Sequence, residues 1–130
     1  MRFPNLDCKI QIFSSINPSE DPEKIKKAIL NILPVSDIKI EDFSINAETN
    51  DLQSMEKIYE SIHSTRSQKV FQRQLEKHLE KNFTWFYLNK QTAFVERIVL
   101  CEEVDESPLG PLKVVLTSKN IDKIIDVLVI

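Results

Sequence analysis

Cys8, Ile10, Ile12, Ser14 and Ile16 alternate with Lys9, Gln11, Phe13 and Ser15, the period-two pattern of a strand with one face on a core. Asn17 to Pro22 then turns the chain, with Asp21 placed as an N-cap and Pro22 at the first helical position, where its missing N–H costs nothing. Ile25, Ala28, Ile29, Ile32 and Leu33 follow at helical spacing, and Pro34 stops the helix because its ring cannot continue the ladder. A second strand is expected from Ile38 to about Ile45. Asn50-Asp51 offers another cap before the helical stripe Leu52, Met55, Ile58, Tyr59 and Ile62. A third helix, from about Ser67 to Lys81, carries Val70, Phe71, Leu75, His78 and Leu79 on one side, and the two helices read as a hairpin.

Thr84 to Leu88 and Phe94 to Cys101 are rich in aromatic and β-branched residues, and Asn89-Lys90-Gln91 between them suits a short hairpin loop. The acidic loop Glu102 to Glu106 leads through Ser107-Pro108-Leu109-Gly110-Pro111 into a strand, Leu112 to Leu116. A final helix from near Ser118 buries Ile121, Ile124, Ile125 and Leu128. The order β-α-β-α-α-β-β-β-α predicts an α+β fold, a mainly antiparallel sheet with helices packed on one face. With no repeat, low-complexity stretch or linker, residues 1–130 are expected to form a single domain.

Composition narrows the function classes. At 42% hydrophobic and 28% charged residues the 130-residue chain builds one core. Its apolar runs fall far short of the roughly 20 residues that span a bilayer, so no membrane partner is expected. The N-terminal residues Arg2, Pro4, Asn5 and Asp7 form no secretory signal, and a cytoplasmic location follows. Cys8 and Cys101 then read as buried thiols. The single glycine excludes phosphate-cradling loops and dinucleotide turns. His63 and His78 lie on separate predicted helices without partners at metal-ligand spacing, and no serine sits in a glycine-flanked elbow. No catalytic residue, metal or small-molecule cofactor is expected, and the chain reads as a non-enzyme.

Candidate binding residues cluster between 64 and 101, where seven basic side chains face three acidic ones although the whole chain carries a net charge of −3. Arg66, Lys69, Arg73, Lys77 and Lys81 recur along one side of the third helix, a footprint suited to an RNA backbone. Glu76 and Glu80 lie one turn away, so an ordinary surface laced with ion pairs is the alternative. Trp85 and Tyr87 suit a stacking platform for unpaired bases, with Lys90 and Arg97 nearby for phosphates. Alternation puts Phe83, Trp85 and Tyr87 on one sheet face and Thr84, Phe86 and Leu88 on the other, so one set is core. An uncovered Trp85 and Tyr87 fit a subunit interface equally well, as does the apolar end Val127-Leu128-Val129-Ile130. Glu102, Glu103, Asp105 and Glu106 read as a solvated loop, and the prolines around Gly110 as a device that positions the last strand.

Phe86-Tyr87-Leu88-Asn89-Lys90-Gln91-Thr92-Ala93-Phe94-Val95 and Glu106-Ser107-Pro108-Leu109-Gly110-Pro111 resemble the signature of uncharacterised protein family 0201, an archaeal family, and Asn17 to Lys24 resembles its N-terminal turn. The similarity runs through nearly the whole chain in the same order. Glu96 stands where that family usually has glycine, and Thr92 where it usually has alanine. The resemblance implies a fold similar to the large-subunit ribosomal protein that holds the 5S RNA, within a group described as RNA-binding, and it brings no catalytic residues. The leading expectation is an RNA-binding module with Arg66, Lys69, Arg73, Lys77, Lys90 and Arg97 on phosphates and Trp85 or Tyr87 under bases. The alternative is a homodimeric or hetero-oligomeric protein-interaction domain without nucleic-acid binding.

Overall fold

The first strand's alternation places it at the middle of the molecule. In the computed structural model, which describes residues 3–103 and 109–130, β1 (Lys9–Ser15) pairs on one side with β3 (Ser44–Thr49) and on the other with β6 (Leu112–Thr117). With β2 (Asp37–Ile40), β4 (Phe83–Leu88) and β5 (Leu100–Cys101) they form a six-stranded sheet of order β2-β3-β1-β6-β4-β5, antiparallel at every pairing. One residue of each pleat points inward: Ile10, Ile12, Ile45, Ala47, Phe86, Leu88, Leu112, Val114 and Leu116 are buried. Helices α1 (Pro22–Ile32), α2 (Glu56–Ser64), α3 (Gln68–Lys77) and α5 (Ile121–Val129) bring Ile25, Ile29, Ile58, Ile62, Phe71, Leu75, Ile124 and Leu128 into the same core. The outward set on β1, β6 and β4, which includes Phe13, Lys113, Val115, Trp85 and Tyr87, stays half-buried or exposed. The fold is α+β, as expected.

Three elements differ from the sequence expectation. The expected strand at 38–45 is a hairpin, β2 and β3, closed by the Glu41 N–H to the Ser44 carbonyl at 2.8 Å. The expected hairpin loop at 89–91 instead opens a short helix, α4 (Lys90–Phe94). Asn89 caps it by accepting from the Thr92 N–H at 2.9 Å, and Asn31 of α1 closes its other end by donating to the carbonyls of Ala93 and Phe94. Of the expected strand Phe94–Cys101 only β5 (Leu100–Cys101) remains, and it runs antiparallel to β4. Finally, α3 stops at Lys77 instead of Lys81, because His78 leaves the helix to bond the Trp85 carbonyl through Nδ1 at 2.9 Å. Much of the acidic loop, residues 104–108, lies outside the described residues.

With a single glycine available, the chain ends two helices on other residues in the left-handed region. Arg66 (φ 54°) and Glu96 (φ 64°) each occupy the position after the cap. Each N–H returns into the preceding turn, and the following N–H reaches one residue further back, to Ile62 and Thr92 respectively. This is the Schellman arrangement, normally a glycine's place. Among the described residues Gly110 (φ 81°) serves the remaining positive-φ site, where an added Cβ would sit 3.5 Å from Ser15 Oγ.

Candidate nucleic-acid interface

Helix α3 buries Phe71, Gln74 and Leu75, which fixes its opposite side in solvent. Lys69, Arg73 and Lys77 lie there, spaced by one turn each, and all are exposed. Glu76, at the edge of this row, accepts a hydrogen bond from Gln72 Nε2 at 3.1 Å. The ion pairs of Lys9 with Glu48 and of Lys90 with Glu20 leave the α3 cations out. Arg66 is exposed in the turn that precedes the helix.

The inward set of the aromatic strand is core, with Phe86 edge-on to Phe71 at 5.6 Å and Thr84 Oγ1 donating to the Leu75 carbonyl at 2.6 Å. The outward set meets the end of α3. His78 stacks on Trp85 at 4.6 Å and 14°, Phe83 lies 6.0 Å away on the same ring, and Lys113 Nζ sits 4.9 Å from its centroid. Trp85 is thus occupied by its own chain and acts as the joint between helix and sheet. Tyr87 meets His78 only edge-on at 6.3 Å. In register beside it across adjacent strands come Lys113 and then Phe13, which is 39% exposed. Sequence reasoning passed over Phe13 and Lys113; their signal was the alternation of their strands, which becomes a surface only once the register is known.

Lys90 corrects an expectation. It is 4% exposed, and its ammonium donates to the Ser15 carbonyl at 3.1 Å, the Leu109 carbonyl at 2.9 Å and both Glu20 oxygens at 3.1 Å. An ammonium so placed has no proton left for a phosphate. Glu20 also accepts from the Asn17 N–H at 3.0 Å and from Asn17 Nδ2 at 2.7 Å, and that amide donates to Leu109 as well. Burial works against the Glu20 carboxylate, but the Asn17 bonds and the Lys90 cation outweigh it and hold the carboxyl below its usual value. Residues 17, 20, 90 and 109 therefore form an internal knot, beside a cavity of about 340 Å³ floored by Ile25, Ala28 and Phe94.

Arg97 is exposed but stands apart, in a cleft of about 570 Å³ shared with Lys57, Glu60, Glu96 and Thr65. Two carboxylates balance its two cations. Both histidines have structural partners: His78 at Trp85, and His63 through Nε2 to the Leu128 carbonyl at 3.0 Å and a tilted ring contact with Tyr59 at 4.1 Å. Among the described residues no group of three potential ligands is placed to hold a metal, and no helix is long and apolar enough to cross a membrane. The thiol of Cys8 is buried, which pushes it up to about 11. Leu128 and Val129 of the apolar end belong to the core, leaving Ile130 exposed.

A family model described as RNA binding matches residues 9–118. A UPF0201 protein of Methanothermobacter thermautotrophicus is 36% identical over 118 residues, covering 91% of this chain and 88% of that one. A UPF0201 protein of Sulfurisphaera tokodaii is 35% identical over 122 residues, covering 91% and 84%. Among solved structures, the 2.2 Å crystal structure of a UPF0201 protein from Methanococcus jannaschii superposes with a TM-score of 0.77 at 29% identity, covering 92% of each chain. Signature segments, fold and relatives agree, and this chain belongs to the archaeal UPF0201 family, within the protein family described as RNA binding.

Proposed function

We propose that this protein is an RNA-binding module, without catalytic activity, that holds phosphates on Lys69, Arg73 and Lys77 of α3 with Arg66 at the start of the row. The observation that carries the proposal is that three cations one turn apart are exposed on one side of α3 and take no part in the ion pairs of the described residues. The family description points the same way. From Lys69 to Lys77 the row runs about 12 Å, enough for two or three successive phosphates. The stack of His78 on Trp85 joins this row to the open sheet face, so an unpaired base reaches Tyr87 without leaving the protein surface. Lys90 has no part in the contact and Trp85 supports it from beneath. Arg97, faced by Glu60 and Glu96, is left out of the row.

Fluorescence anisotropy with a single-stranded and a duplex RNA across a salt series tests the proposal. Three to four phosphate contacts give a slope of log affinity against log salt of about −2 to −3 for a single strand. Lys69→Glu, Arg73→Glu and Lys77→Glu together should abolish binding while circular dichroism and melting stay as in the parent. Equal affinity in the triple variant, or no binding by the parent even at low salt, would sink the proposal.

A further inference from the structure

We infer that the free edge of β2 is a self-pairing surface, through which two copies of this chain join their sheets about a two-fold axis at Ile38. β2 closes one end of the sheet, so among the described residues one side of its backbone has no strand beside it. The hairpin register decides which groups face outward. Glu41 and Ser44 form the bonded pair next to the turn, and pairs alternate along an antiparallel ladder. The N–H and C=O of Asp37 and Lys39 therefore point toward β3, and those of Ile38 and Ile40 point out of the sheet.

An added antiparallel copy must keep inward residues opposite inward ones; centring on Ile40 would run the second copy into the turn that follows Glu41, which leaves the three registers centred on Asp37, Ile38 and Lys39. Placing Lys39 opposite its own copy also sets Asp37 against Glu41, and placing Asp37 opposite its own copy sets two carboxylates face to face. Both registers juxtapose like charges. The third centres on Ile38 and puts Asp37 opposite Lys39 of the second copy on both sides of the axis. In that register the two Ile38 residues exchange both backbone bonds and Ile40 pairs with Ser36 of the second copy, so outward backbone groups and side-chain charges select the same alignment.

Two further observations favour this occupant. Asp37 lies opposite Glu48, whose carboxylate is taken up by Lys9 at 3.4 Å and Gln11 at 3.1 Å, so Lys39 of the second copy brings a cation to a locally acidic site. Val35, Ile40 and Phe43, exposed by 69%, 42% and 78%, all belong to β2 or its flanking turns. Antiparallel pairing brings Val35 of one copy to the same end of the ribbon as Phe43 of the other, which covers apolar surface that a monomer leaves in water. A lysine on an edge strand commonly serves to repel other strands; here it is paired in sequence with the opposite charge two residues away, which turns repulsion into self-complementarity.

Charge exchange tests the register directly. Sedimentation equilibrium up to about 1 mM protein should show a monomer–dimer equilibrium for the parent. Lys39→Asp alone and Asp37→Lys alone each set like charges opposite one another at both positions, and each should weaken the dimer about tenfold or more. The combined exchange Asp37→Lys with Lys39→Asp restores opposite pairs and should restore association. Both positions are exposed, so unchanged melting curves separate lost pairing from lost folding. A parent that stays monomeric throughout, single variants that dimerise like the parent, or a double variant that stays weakened would overturn the inference. So would a dimer insensitive to these exchanges but lost on Phe13→Asp, which would place the second copy on the open sheet face.

Discussion

Replacing Lys90 by methionine keeps an unbranched apolar stem, with sulfur in place of Cδ, and removes the ammonium at its end, which makes it the sharpest probe of the internal knot. The side chains of Lys90 and Glu20 are 5% and 8% exposed. The substitution strands the Glu20 carboxylate and takes the donor from the carbonyls of Ser15 and Leu109. Breaking one partner of a buried pair costs about 3–5 kcal/mol, because a desolvated charge loses its counter-ion, and the two bonds that Asn17 keeps to Glu20 place the loss within that range. Unfolding entropy near 2.1 cal/mol/K per residue gives about 0.27 kcal/mol/K for this length, so a loss of about 4 kcal/mol lowers Tm by about 15 °C. Adding Glu20→Leu should recover part of that loss by removing the stranded charge, with the orphaned carbonyls and the Asn17 donors limiting the recovery.

The pH dependence gives this prediction its sign. Glu20 has a folded pKa below its ordinary value, so its contribution to stability is present above the unfolded carboxylate pKa and fades as pH falls through the folded one. Lys90→Met lacks that contribution. The gap between parent and variant in urea melts should be widest at neutral pH and narrow on acidification through the carboxylate range. A gap below about 1 kcal/mol at neutral pH, the size of an exposed pair, would refute the reasoning. So would a gap indifferent to pH.

Glu96→Gly relieves a left-handed residue at the end of α4 and should stabilise the protein by about 1 kcal/mol, read as a rise in Tm; no gain would mean that the Glu96 side chain contributes something its backbone strain conceals. Cys8, whose thiol is pushed up to about 11 by burial with the Thr117 backbone bond partly opposing, should react with a thiol reagent in a Cys101→Ala background only as fast as the protein opens; labelling at the rate of a free thiol would contradict that placement.

What was legible in the sequence follows from what each pattern depends on. Alternation in β1 and the cap at Asp21 are local, and both appear where expected, with Glu23 N–H donating to Asp21 at 3.0 Å. The hairpin at 37–49 was missed although its signal was present. Ile38 and Ile40 share a parity that Ile45 and Ala47 do not, so one continuous strand would have sent half of them outward, and only a reversal between them puts all four on one face. Helix α4 was hidden by β-branched and aromatic residues whose strand propensity is overridden by the Asn89 cap and by Asn31, 62 residues before Ala93. The stripe on α3 was readable because helical periodicity is local. The fate of Lys90 was not, because its partners at 15, 20 and 109 lie in segments that only the fold brings together.

The segments that carry the family resemblance meet at that knot. Asn17 and Glu20 from the first turn, Lys90 from the aromatic segment, and Leu109 beside Gly110 from the last bond one another around a buried ammonium. A resemblance carried by such residues transmits a fold efficiently, since each substitution would leave a buried polar group without its partner. It transmits a ligand less directly, since the α3 row and the β2 edge both lie outside these segments. Surface groups there are free to differ between chains of one fold, and their chemistry has to be read from each chain separately. For this protein that reading gives an exposed cationic row joined to an open aromatic sheet at one side, and a charge-alternating free strand at the other. The two surfaces occupy different ends of the sheet, so association through β2 leaves α3 accessible and doubles the number of cationic rows in the assembly. An RNA long enough to reach both rows would then bind more tightly than two separate contacts on the monomer allow, and the charge-exchange variants at 37 and 39 would lower that affinity without touching a phosphate contact.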